Sequence, residues 1–348
     1  MSKDCPSFCR KINGNECKMG SIFRMGYAIL WQNTVKGDFD MGILVAGATF
    51  MDIKGFPEDA YIPTGRNVGW VEYVHGGVAR NVVEDIANIE LRPTFLSVVD
   101  DTPLGEAVVR KLSNHKVNTD YLLSQPDGMG TWLAVFDKNG DVAGSISKRP
   151  NMLPLKELLE EKGDEIFSNA DSVVVEVDIE KEVVKKVLEL AEKHGKKIFG
   201  LVSNMTLAAQ RRDFLQHFTC FICNQQEAGI LFVEDYDDKT PEEMRDILSE
   251  KVMNAKIPAM VVTMGEKGAV YADCNGEKGV CQARKVIVKD TTGAGDAFCA
   301  GVSIGLTYGK TMAESIEMGS MLAASVITSS ENVCPRFHPD ELGLDVEV

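Results

Sequence analysis

The chain has 348 residues, of which 44% are hydrophobic and 26% are charged, a composition typical of a globular protein with a well-buried core. Its formal net charge of -15 argues against a nucleic-acid partner, because binding to a phosphate backbone requires a surface rich in lysine and arginine. An anionic substrate would have to be held by backbone dipoles, a few cations and a metal ion.

The folded domain is predicted to begin near residue 41. Residues 1–40 show no sustained hydrophobic periodicity, whereas ILVAGATF at residues 43–50 is typical of a buried first strand. We therefore expect one domain over residues 41–348. Residues 1–40 are expected to be an N-terminal extension, either disordered or an artefact of the start site.

No membrane segment or secretory signal is expected. The apolar stretch at residues 22–31 is shorter than the roughly 20 residues of a spanning helix and contains Arg24. The nine cysteines follow no disulfide framework, which favours a reduced, cytoplasmic compartment. Cys220 and Cys223 form a C-x-x-C, but residues three apart in a strand point to opposite faces, so we expect them to pack in the core.

From residue 41 onward, short apolar runs rich in β-branched residues alternate with amphipathic stretches of helical length. Examples are SVVVEV followed by IEKEVVKKVLELAEKHG, and FTCFIC followed by TPEEMRDILSEKV. This alternation predicts βαβ units and an α/β fold with a doubly wound, mostly parallel sheet and helices on both faces. Threonine followed by proline at residues 102–103 and 240–241 marks two helix starts.

Two segments interrupt the alternation. Residues 52–75 are predicted to be extended and irregular, and residues 129–149 to form a hairpin that turns at Asn139-Gly140. Together they could form a small β-lid that excludes water from a site on the sheet. The alternative is an edge hairpin with no such role.

The most informative motif is DTTGAGDAFCAG at residues 290–301, which lies between a strand-like run and an apolar helix. The N–H groups of Gly293, Ala294 and Gly295 are predicted to lie at a helix start, where the helix dipole also favours negative charge. Asp296 would then lie beside this anion hole, within reach of an incoming alcohol. The alternative is a glycine-rich turn in which Asp296 is an ordinary first-turn acid.

A second motif makes a family resemblance specific. HGGVARN at residues 75–81 matches G-G-x-x-x-N, and with residues 290–301 it resembles the two signatures of the PfkB/ribokinase family. The resemblance extends from residue 41 to about residue 344. It implies a ribokinase-like fold and an ATP-dependent kinase in which Asp296 is the catalytic base. It also implies that Gly76, Gly77 and Asn81 bind the phosphoryl acceptor.

The resemblance implies two further acceptor-binding acids. Asp52, in GATFMD after the first strand, resembles a family acid that binds sugar hydroxyls, and Glu176, at the end of SVVVEV, resembles another. Ligands bind at the carboxyl ends of parallel strands, which favours these roles. The alternative for Asp52 is a residue that forms a turn at a strand end.

The nucleotide side is implied by two weaker matches. Asn224 and Glu227 fit the family's N-x-x-E, whose glutamate organises Mg²⁺ and its waters beside the phosphates. Thr263, Gly265 and Gly268 lie in TMGEKG, which resembles the family turn that contacts ATP, although any tight glycine hairpin would look similar.

A monovalent cation is also implied. Asp290 and Thr292 stand where potassium-activated family members supply oxygen ligands, with later ligands near Ile327 and Ser330. We expect activation by potassium on this basis. The alternative is that Asp290 ends a strand and caps the following turn.

The acceptor remains open at this stage. Many sugar kinases of the family carry an acid after the strand that here reads KKIFGLVSN, where this chain has Gly200, Leu201 and Val202. The form GGVARN and the tail TSSENVCPRF look more like pseudouridine kinases, whereas SISKRPNM does not. We expect a ribosyl compound, with pseudouridine first and a ribokinase-like or fructokinase-like activity as the alternative. A non-catalytic sugar or nucleoside sensor is an alternative of another class, and a homodimer is expected from the resemblance.

Overall fold

The computed structural model describes residues 42–346. The predicted extension of residues 1–40 and the predicted domain start at residue 41 lie outside this range. The strands of the described part are β1 (Ile43–Ala46), β2 (Phe50–Pro57), β3 (Gly69–Gly76), β4 (Thr94–Asp100), β5 (Leu122–Gln125), β6 (Gly130–Phe136), β7 (Val142–Lys148), β8 (Ser172–Glu176), β9 (Lys197–Leu201), β10 (Cys220–Asn224), β11 (Ala259–Thr263), β12 (Ala269–Asp273) and β13 (Lys278–Cys281).

The α-helices of the same range alternate with these strands, as predicted. They are α1 (Val78–Asn88), α2 (Pro103–Asn114), α3 (Leu153–Ser168), α4 (Lys181–Lys193), α5 (Met205–Ala208), α6 (Gln225–Phe232), α7 (Pro241–Ala255), α8 (Ala294–Thr307) and α9 (Met312–Ile327). None of the helices in the described part combines the length and apolarity that crossing a membrane requires.

A nine-stranded sheet forms the body, in the order β13-β12-β11-β10-β9-β8-β1-β4-β5. The strands from β11 to β5 pair in parallel, and β12 and β13 add an antiparallel edge. The strand order reverses direction at β1, which pairs with both β8 and β4. Such a switch point places a crevice at the carboxyl ends of the strands, where ligands bind in open α/β sheets.

The sheet is buried on both faces, which confirms the predicted doubly wound α/β class. Along β1, Leu44 and Ala46 pack in one apolar core and Ile43 and Val45 in the other, because successive side chains of a strand point to opposite faces. The first core is covered by α3, α4, α6 and α7, and the second by α1, α2, α8 and α9.

The C-x-x-C of β10 follows the same rule. Cys220 packs in the second core and Cys223 in the first, so the two thiols lie on opposite sides of the sheet. Burial raises the pKa of both thiols well above the ordinary value. The prediction that these cysteines are core residues is confirmed.

The predicted helix starts are also confirmed. The Thr102 side chain accepts a hydrogen bond from Gly105 N–H at the start of α2. At α7, Thr240 and Glu243 form a capping box, in which each side chain accepts from the backbone N–H of the other. Such caps fix where each helix begins and therefore where its dipole points.

The two interrupting segments form a separate four-stranded sheet in the order β3-β2-β6-β7, which we call the lid. Strand β2 pairs antiparallel with β3 and parallel with β6, and β6 pairs antiparallel with β7. The β6–β7 loop turns where predicted. The Asp137 carboxylate accepts from the N–H groups of Asn139 and Asp141, and Gly140 has a φ of 86°.

Helices α8 and α9 cross at a close glycine contact. A Cβ on Gly301 would lie 2.6 Å from the Cα of Gly319, so neither position has room for a side chain. Close packing of this kind holds the two helices in a fixed relative position.

Candidate active site

Asp296 lies in the first turn of α8, at the position of the predicted anion hole. The turn enters the helix through Gly293, whose φ of 82° favours glycine. A Cβ at Gly293 would also lie 2.0 Å from the carbonyl oxygen of Asn332. Both the backbone conformation and the space therefore require glycine at this position.

The structure corrects one part of the predicted anion hole. The N–H of Ala294 donates to the Thr291 carbonyl at 3.2 Å and closes the turn, so it is not directed at a ligand. Gly295 and Asp296 follow in the first helical turn, where N–H groups have no intrahelical acceptor. No atom would lie within 4 Å of a Cβ on Gly295, so its surroundings are open to a ligand.

The HGGVARN motif of residues 75–81, which we call the substrate motif after its predicted role, and the predicted anion hole meet at a hydrogen bond between two side chains. Nδ2 of Asn81, from α1, donates to Oδ2 of Asp296 at 2.6 Å. Burial raises the pKa of Asp296 to about 7, while the Asn81 hydrogen bond and the Arg80 charge oppose the rise and the Glu227 charge adds to it. A carboxylate with this pKa can accept a proton near neutral pH.

Asn332 completes this contact and was missed by the sequence predictions. Its Nδ2 donates to the carbonyl of His75 at 3.0 Å and to Oδ1 of Asn81 at 3.3 Å. Asn332 lies outside the two family motifs, in the tail TSSENVCPRF, and is 251 residues from Asn81 in the chain. The likeness of that tail to pseudouridine kinases was a signal for the segment, but it did not indicate a role for Asn332 in the site.

Asp52 and the first glycine of the substrate motif are in contact. A Cβ on Gly76 would lie 2.5 Å from both carboxylate oxygens of Asp52, so glycine here makes room for the acid. Burial raises the pKa of Asp52, and the charges of Lys54 and Arg80 oppose the rise. The structure thus brings Asp52, Gly76 and Gly77 together at the junction of the lid and α1.

Glu176 lies at the end of β8, as predicted, and is buried. It is 2% exposed at the end of β8, and its Oε2 accepts from the N–H of Ala48 at 2.8 Å. Burial, with the neighbouring Asp178 charge, raises its pKa well above the ordinary value. A Cβ on Gly47 would lie 2.7 Å from Oε2, so the Glu176 carboxylate packs against the backbone of residues 47–48.

An aromatic side chain stands next to Asp52 on the lid. In the lid register, Asp52 of β2 is paired with Val74 of β3 and with Trp132 of β6. Paired residues of adjacent strands share a face, so Trp132 lies on the face of the lid that carries Asp52. Trp132 also makes an edge contact with Phe136, with ring centroids 6.3 Å apart.

A cavity of about 430 Å³ opens beside the turn that begins α8. Three predicted ATP-binding or anion-hole segments contribute to it, together with residues that the sequence did not single out for these roles. Its lining comprises Asn224, Gln225, Gln226, Thr263, Met264, Gly265, Gly268, Ala283, Arg284, Thr291, Ala294, Gly295, Phe298, Ser320, Ala323, Ala324 and Ile327.

One wall of this cavity is a face of α9. Ser320, Ala323, Ala324 and Ile327 follow the three- and four-residue spacing of one helix face. Three of these four side chains are small, which leaves space for a planar group against the helix. Arg284 is the basic residue of the lining and was not predicted, because it lies in no recognisable motif.

Glu227 closes a capping box at the start of α6. Its Oε2 accepts from Asn224 N–H at 2.8 Å, and Asn224 Oδ1 accepts from Glu227 N–H at 2.8 Å. Burial raises the pKa of Glu227. In the described range no cluster of three or more acidic, histidine or cysteine side chains could hold a metal. A single carboxylate fits Mg²⁺, which keeps several waters and takes phosphate oxygens as ligands.

The predicted monovalent-cation residues are brought together only in part. The N–H groups of Lys289 and Asp290 both donate to the carbonyl of Ile327, at 2.9 and 3.4 Å, which joins the two loops. That carbonyl is therefore engaged by two donors and is not available as a cation ligand in this arrangement. The carboxylate of Asp290 accepts from Thr292 N–H at 2.9 Å, and Ser330 is exposed.

Comparison with known proteins shows a kinase family. The family model described as pfkB family carbohydrate kinase matches residues 41–334. The chain is 35% identical over 292 residues to the guanosine-inosine kinase of Exiguobacterium acetylicum, which covers 83% of this chain and 95% of that protein. It is 25% identical over 286 residues to the pseudouridine kinase of Escherichia coli K12, which covers 79% and 86%.

Solved structures show the same fold. The structure of Arabidopsis thaliana ribokinase complexed with ribose and ATP has a TM-score of 0.77 at 19% identity and covers 87% of this chain and 99% of that one. The adenosine kinase of Sinorhizobium meliloti has a TM-score of 0.68 at 19% identity and covers 85% and 96%. The ribokinase-like fold that the motifs predicted is thereby confirmed. With the family match over residues 41–334, the chain belongs to the pfkB family of carbohydrate kinases.

Proposed function

We propose that the protein transfers the γ-phosphoryl group of ATP to a primary hydroxyl of a ribonucleoside, with a purine ribonucleoside preferred. The observation that carries this proposal is the position of Asp296. The carboxylate contacts Asn81 of the substrate motif on one side, and the adjoining Ala294 and Gly295 line the cavity on the other. A base at this junction can reach an acceptor hydroxyl that faces a nucleotide in the cavity.

In the proposed reaction Asp296 accepts the proton of the acceptor hydroxyl, whose oxygen forms a bond to the γ-phosphorus. The bond between that phosphorus and the oxygen bridging to the β-phosphate breaks, and ADP leaves. The N–H groups of Gly295 and Asp296 and the dipole of α8 stabilise the negative charge on the transferred group. Mg²⁺, when bound near Glu227, would neutralise phosphate charge.

The nucleoside preference has two supports. One is the 35% identity over most of both chains with a protein named guanosine-inosine kinase. The other is the row formed by Asp52 and Trp132 on the lid. If Asp52 binds ribose hydroxyls, an indole one strand away is placed to stack on the attached base, and stacking suits the wide π-face of a purine.

The same row favours any ribonucleoside over a free sugar, because a free sugar has no base to occupy the position beside Trp132. Pseudouridine, the acceptor first expected from the sequence, is therefore the second candidate. Free ribose and fructose are the third. The sensor alternative is disfavoured, because the chain belongs to a kinase family and keeps Asp296, its hydrogen bond with Asn81 and an adjoining cavity.

An acceptor panel tests the proposal. ADP formation would be measured with ATP and guanosine, inosine, adenosine, pseudouridine, ribose or fructose, and the product position assigned by phosphorus NMR. We expect the highest kcat/KM with a purine ribonucleoside and a 5′-monophosphate as the product. A higher kcat/KM for fructose or ribose than for every nucleoside would overturn the proposal.

We also propose that two copies pair through the lid face opposite Asp52. Tyr73, Ile53, Leu133 and Ile146 form a row across all four lid strands. Tyr73 is 61% and Ile146 71% exposed. An apolar row of this width on a sheet face is typical of an interaction surface, and a second lid with the same row is a matching partner.

A further inference from the structure

Asn332 is held in place by the helix that carries the substrate asparagine. Two residues further along the chain, Cys334 N–H donates to the Asp85 carboxylate at 2.6 Å, and the Cys334 carbonyl accepts from Asn88 Nδ2 at 2.7 Å. Asp85 and Asn88 both belong to α1, as does Asn81. The tail segment that carries Asn332 is therefore fastened to α1 and does not depend on a bound ligand for its position.

The side chain of Asn332 determines which end of the Asn81 amide faces the base. An asparagine amide has a donor end and an acceptor end, and a half-turn exchanges them. Nδ2 of Asn332 donates to Oδ1 of Asn81, so the donor end of Asn81 is left toward Asp296. The reversed amide would direct a carbonyl oxygen at the carboxylate and would oppose the donor of Asn332.

The backbone of Asn332 contacts the other half of the site. Its carbonyl lies where a Cβ of Gly293 would be, against the turn that begins the anion hole. The same side-chain Nδ2 also donates to the His75 carbonyl, at the start of the substrate motif. One residue of the tail thus contacts both catalytic segments, although neither motif includes it.

We propose that Asn332 is a positioning residue that acts through Asn81 to keep a hydrogen-bond donor on Asp296 and to hold its carboxylate toward the acceptor hydroxyl. The proposal deepens the proposed function, since it concerns the base of that same reaction. Asn332 itself is not assigned any contact with the acceptor or with ATP.

The electrostatic surroundings give this role a measurable consequence. The groups that face Asp296 are Arg80 and Asp85 on α1, Glu227 on α6 and Cys299 on α8 itself. The hydrogen bond from Asn81 lowers the pKa of Asp296 against the effect of burial. Loss of that donor would raise the pKa further, so less base would be ionised at a given pH.

The first test compares Asn332→Ala and the isosteric Asn332→Asp with wild type and with Glu331→Ala, a change at the exposed neighbouring residue. Both Asn332 variants lack the donor. We expect kcat to fall roughly ten-fold, the usual worth of a hydrogen bond to a charged group, with KM for the acceptor changed less than about three-fold. The acidic limb of kcat/KM should move to higher pH by roughly half a unit to one unit.

A double-mutant cycle separates positioning from a general loss of structure. If Asn332 acts through Asn81, then Asn332→Ala in an Asn81→Ala background should lower kcat less than two-fold further, a non-additive result. An equal fall in both backgrounds, or an acidic limb that stays in place, would overturn the proposal. All rates are to be measured well below the melting temperature of each variant.

A measurement that does not depend on activity distinguishes a failure of the Asn332 proposal from a failure of the proposed function. The native pKa of Asp296 lies above its unfolded value, and a further rise caused by Asn332→Ala would add a loss of stability that develops as the pH increases above about 7. Urea unfolding would be measured at pH 6 and at pH 9. Asn332→Ala in the wild-type background should lose more stability at pH 9 than at pH 6. In the Asn81→Ala background the same substitution should cause no such pH-dependent loss. A pH-independent difference would contradict the role of Asn332 whatever the acceptor is.

Discussion

Asn81 and Asp296 are 215 residues apart in the chain, yet Nδ2 of one and Oδ2 of the other lie 2.6 Å apart. This contact joins the motif implied to bind the acceptor to the motif implied to provide the base. It also means that α1 and α8, which pack on the same face of the sheet, determine the chemistry of the site together.

Asp296→Asn should remove the base while keeping side-chain size. We expect kcat to fall by roughly 10²–10⁴, the usual contribution of general acid–base catalysis, with little change in the affinity for ATP. The control is Glu106→Gln, which removes an exposed first-turn acid of α2 and so reproduces only the helix-dipole effect. Near-normal turnover of a well-folded Asp296→Asn protein would refute the assignment.

The raised pKa of Asp296 predicts how activity depends on pH. The group is active when ionised, so kcat/KM should rise with pH through about 7 and level off above about 8. For stability the sign is opposite. Because the native pKa exceeds its ordinary value of 3.8, ionisation favours the unfolded chain, and stability is lost as the pH rises from about 4 to about 7. Asp296→Asn should abolish this loss, which urea titrations across that range would measure.

Trp132→Ala tests the stacking position beside Asp52. We expect KM for a purine ribonucleoside to rise by roughly 5- to 150-fold, since stacking of a base on an aromatic ring contributes about 1–3 kcal/mol. The KM for free ribose should change little. Trp70→Ala is the matched control, because Trp70 is an exposed lid residue that stacks on Phe56. Equal effects on the nucleoside and on ribose would show that Trp132 supports the lid and does not bind the base.

Ile146→Glu tests the proposed pairing of two lids. A buried, unpaired charge is costly, so the variant should be monomeric at concentrations where wild type is dimeric by light scattering. Ser145→Glu places the same charge one residue away, on the other face of β7, and should leave the dimer intact. If wild type is monomeric at high concentration, the exposed apolar row needs another explanation.

Potassium should raise kcat over sodium if a monovalent cation binds between the 290–292 and 327–330 loops. The Asp290 carboxylate would supply a negatively charged oxygen ligand, because the hydrogen bond from Thr292 N–H favours its ionised form and lowers its pKa below the ordinary value. Rates would be compared in potassium, sodium and tetramethylammonium chloride at matched ionic strength. Since the Ile327 carbonyl already accepts two backbone hydrogen bonds, equal rates in the three salts would show that these loops bind no cation.

The sequence was sufficient to predict features that depend on local chemistry. The alternation along β1, the caps at Thr102 and Thr240, and the glycine entry to α8 at Gly293 each follow from neighbouring residues. The family resemblance of the two motifs likewise implied that Asn81 and Asp296 belong to one site, and their side chains are hydrogen-bonded to each other.

Features that depend on register or on long-range contacts could not be predicted. The pairing of Trp132 with Asp52 requires the alignment of β2 with β6, which no residue pattern specifies alone. The burial of Glu176 against the backbone of residues 47–48 depends on where another strand ends. The two hydrogen bonds accepted by the Ile327 carbonyl and the contact of Asn332 with Asn81 join segments that are distant in the chain, and neither family motif specifies them.

The glycine contact between α8 and α9 has a consequence for how the enzyme adapts to its ligands. Helix α8 carries the proposed base, α9 forms a wall of the cavity, and the close contact of Gly301 with Gly319 packs the two helices against each other. Adjustment to acceptors of different size then falls to the lid strands, which belong to a separate sheet. The proposed division of roles therefore predicts that substitutions in the lid change the acceptor preference while the packing of α8 against α9 stays the same.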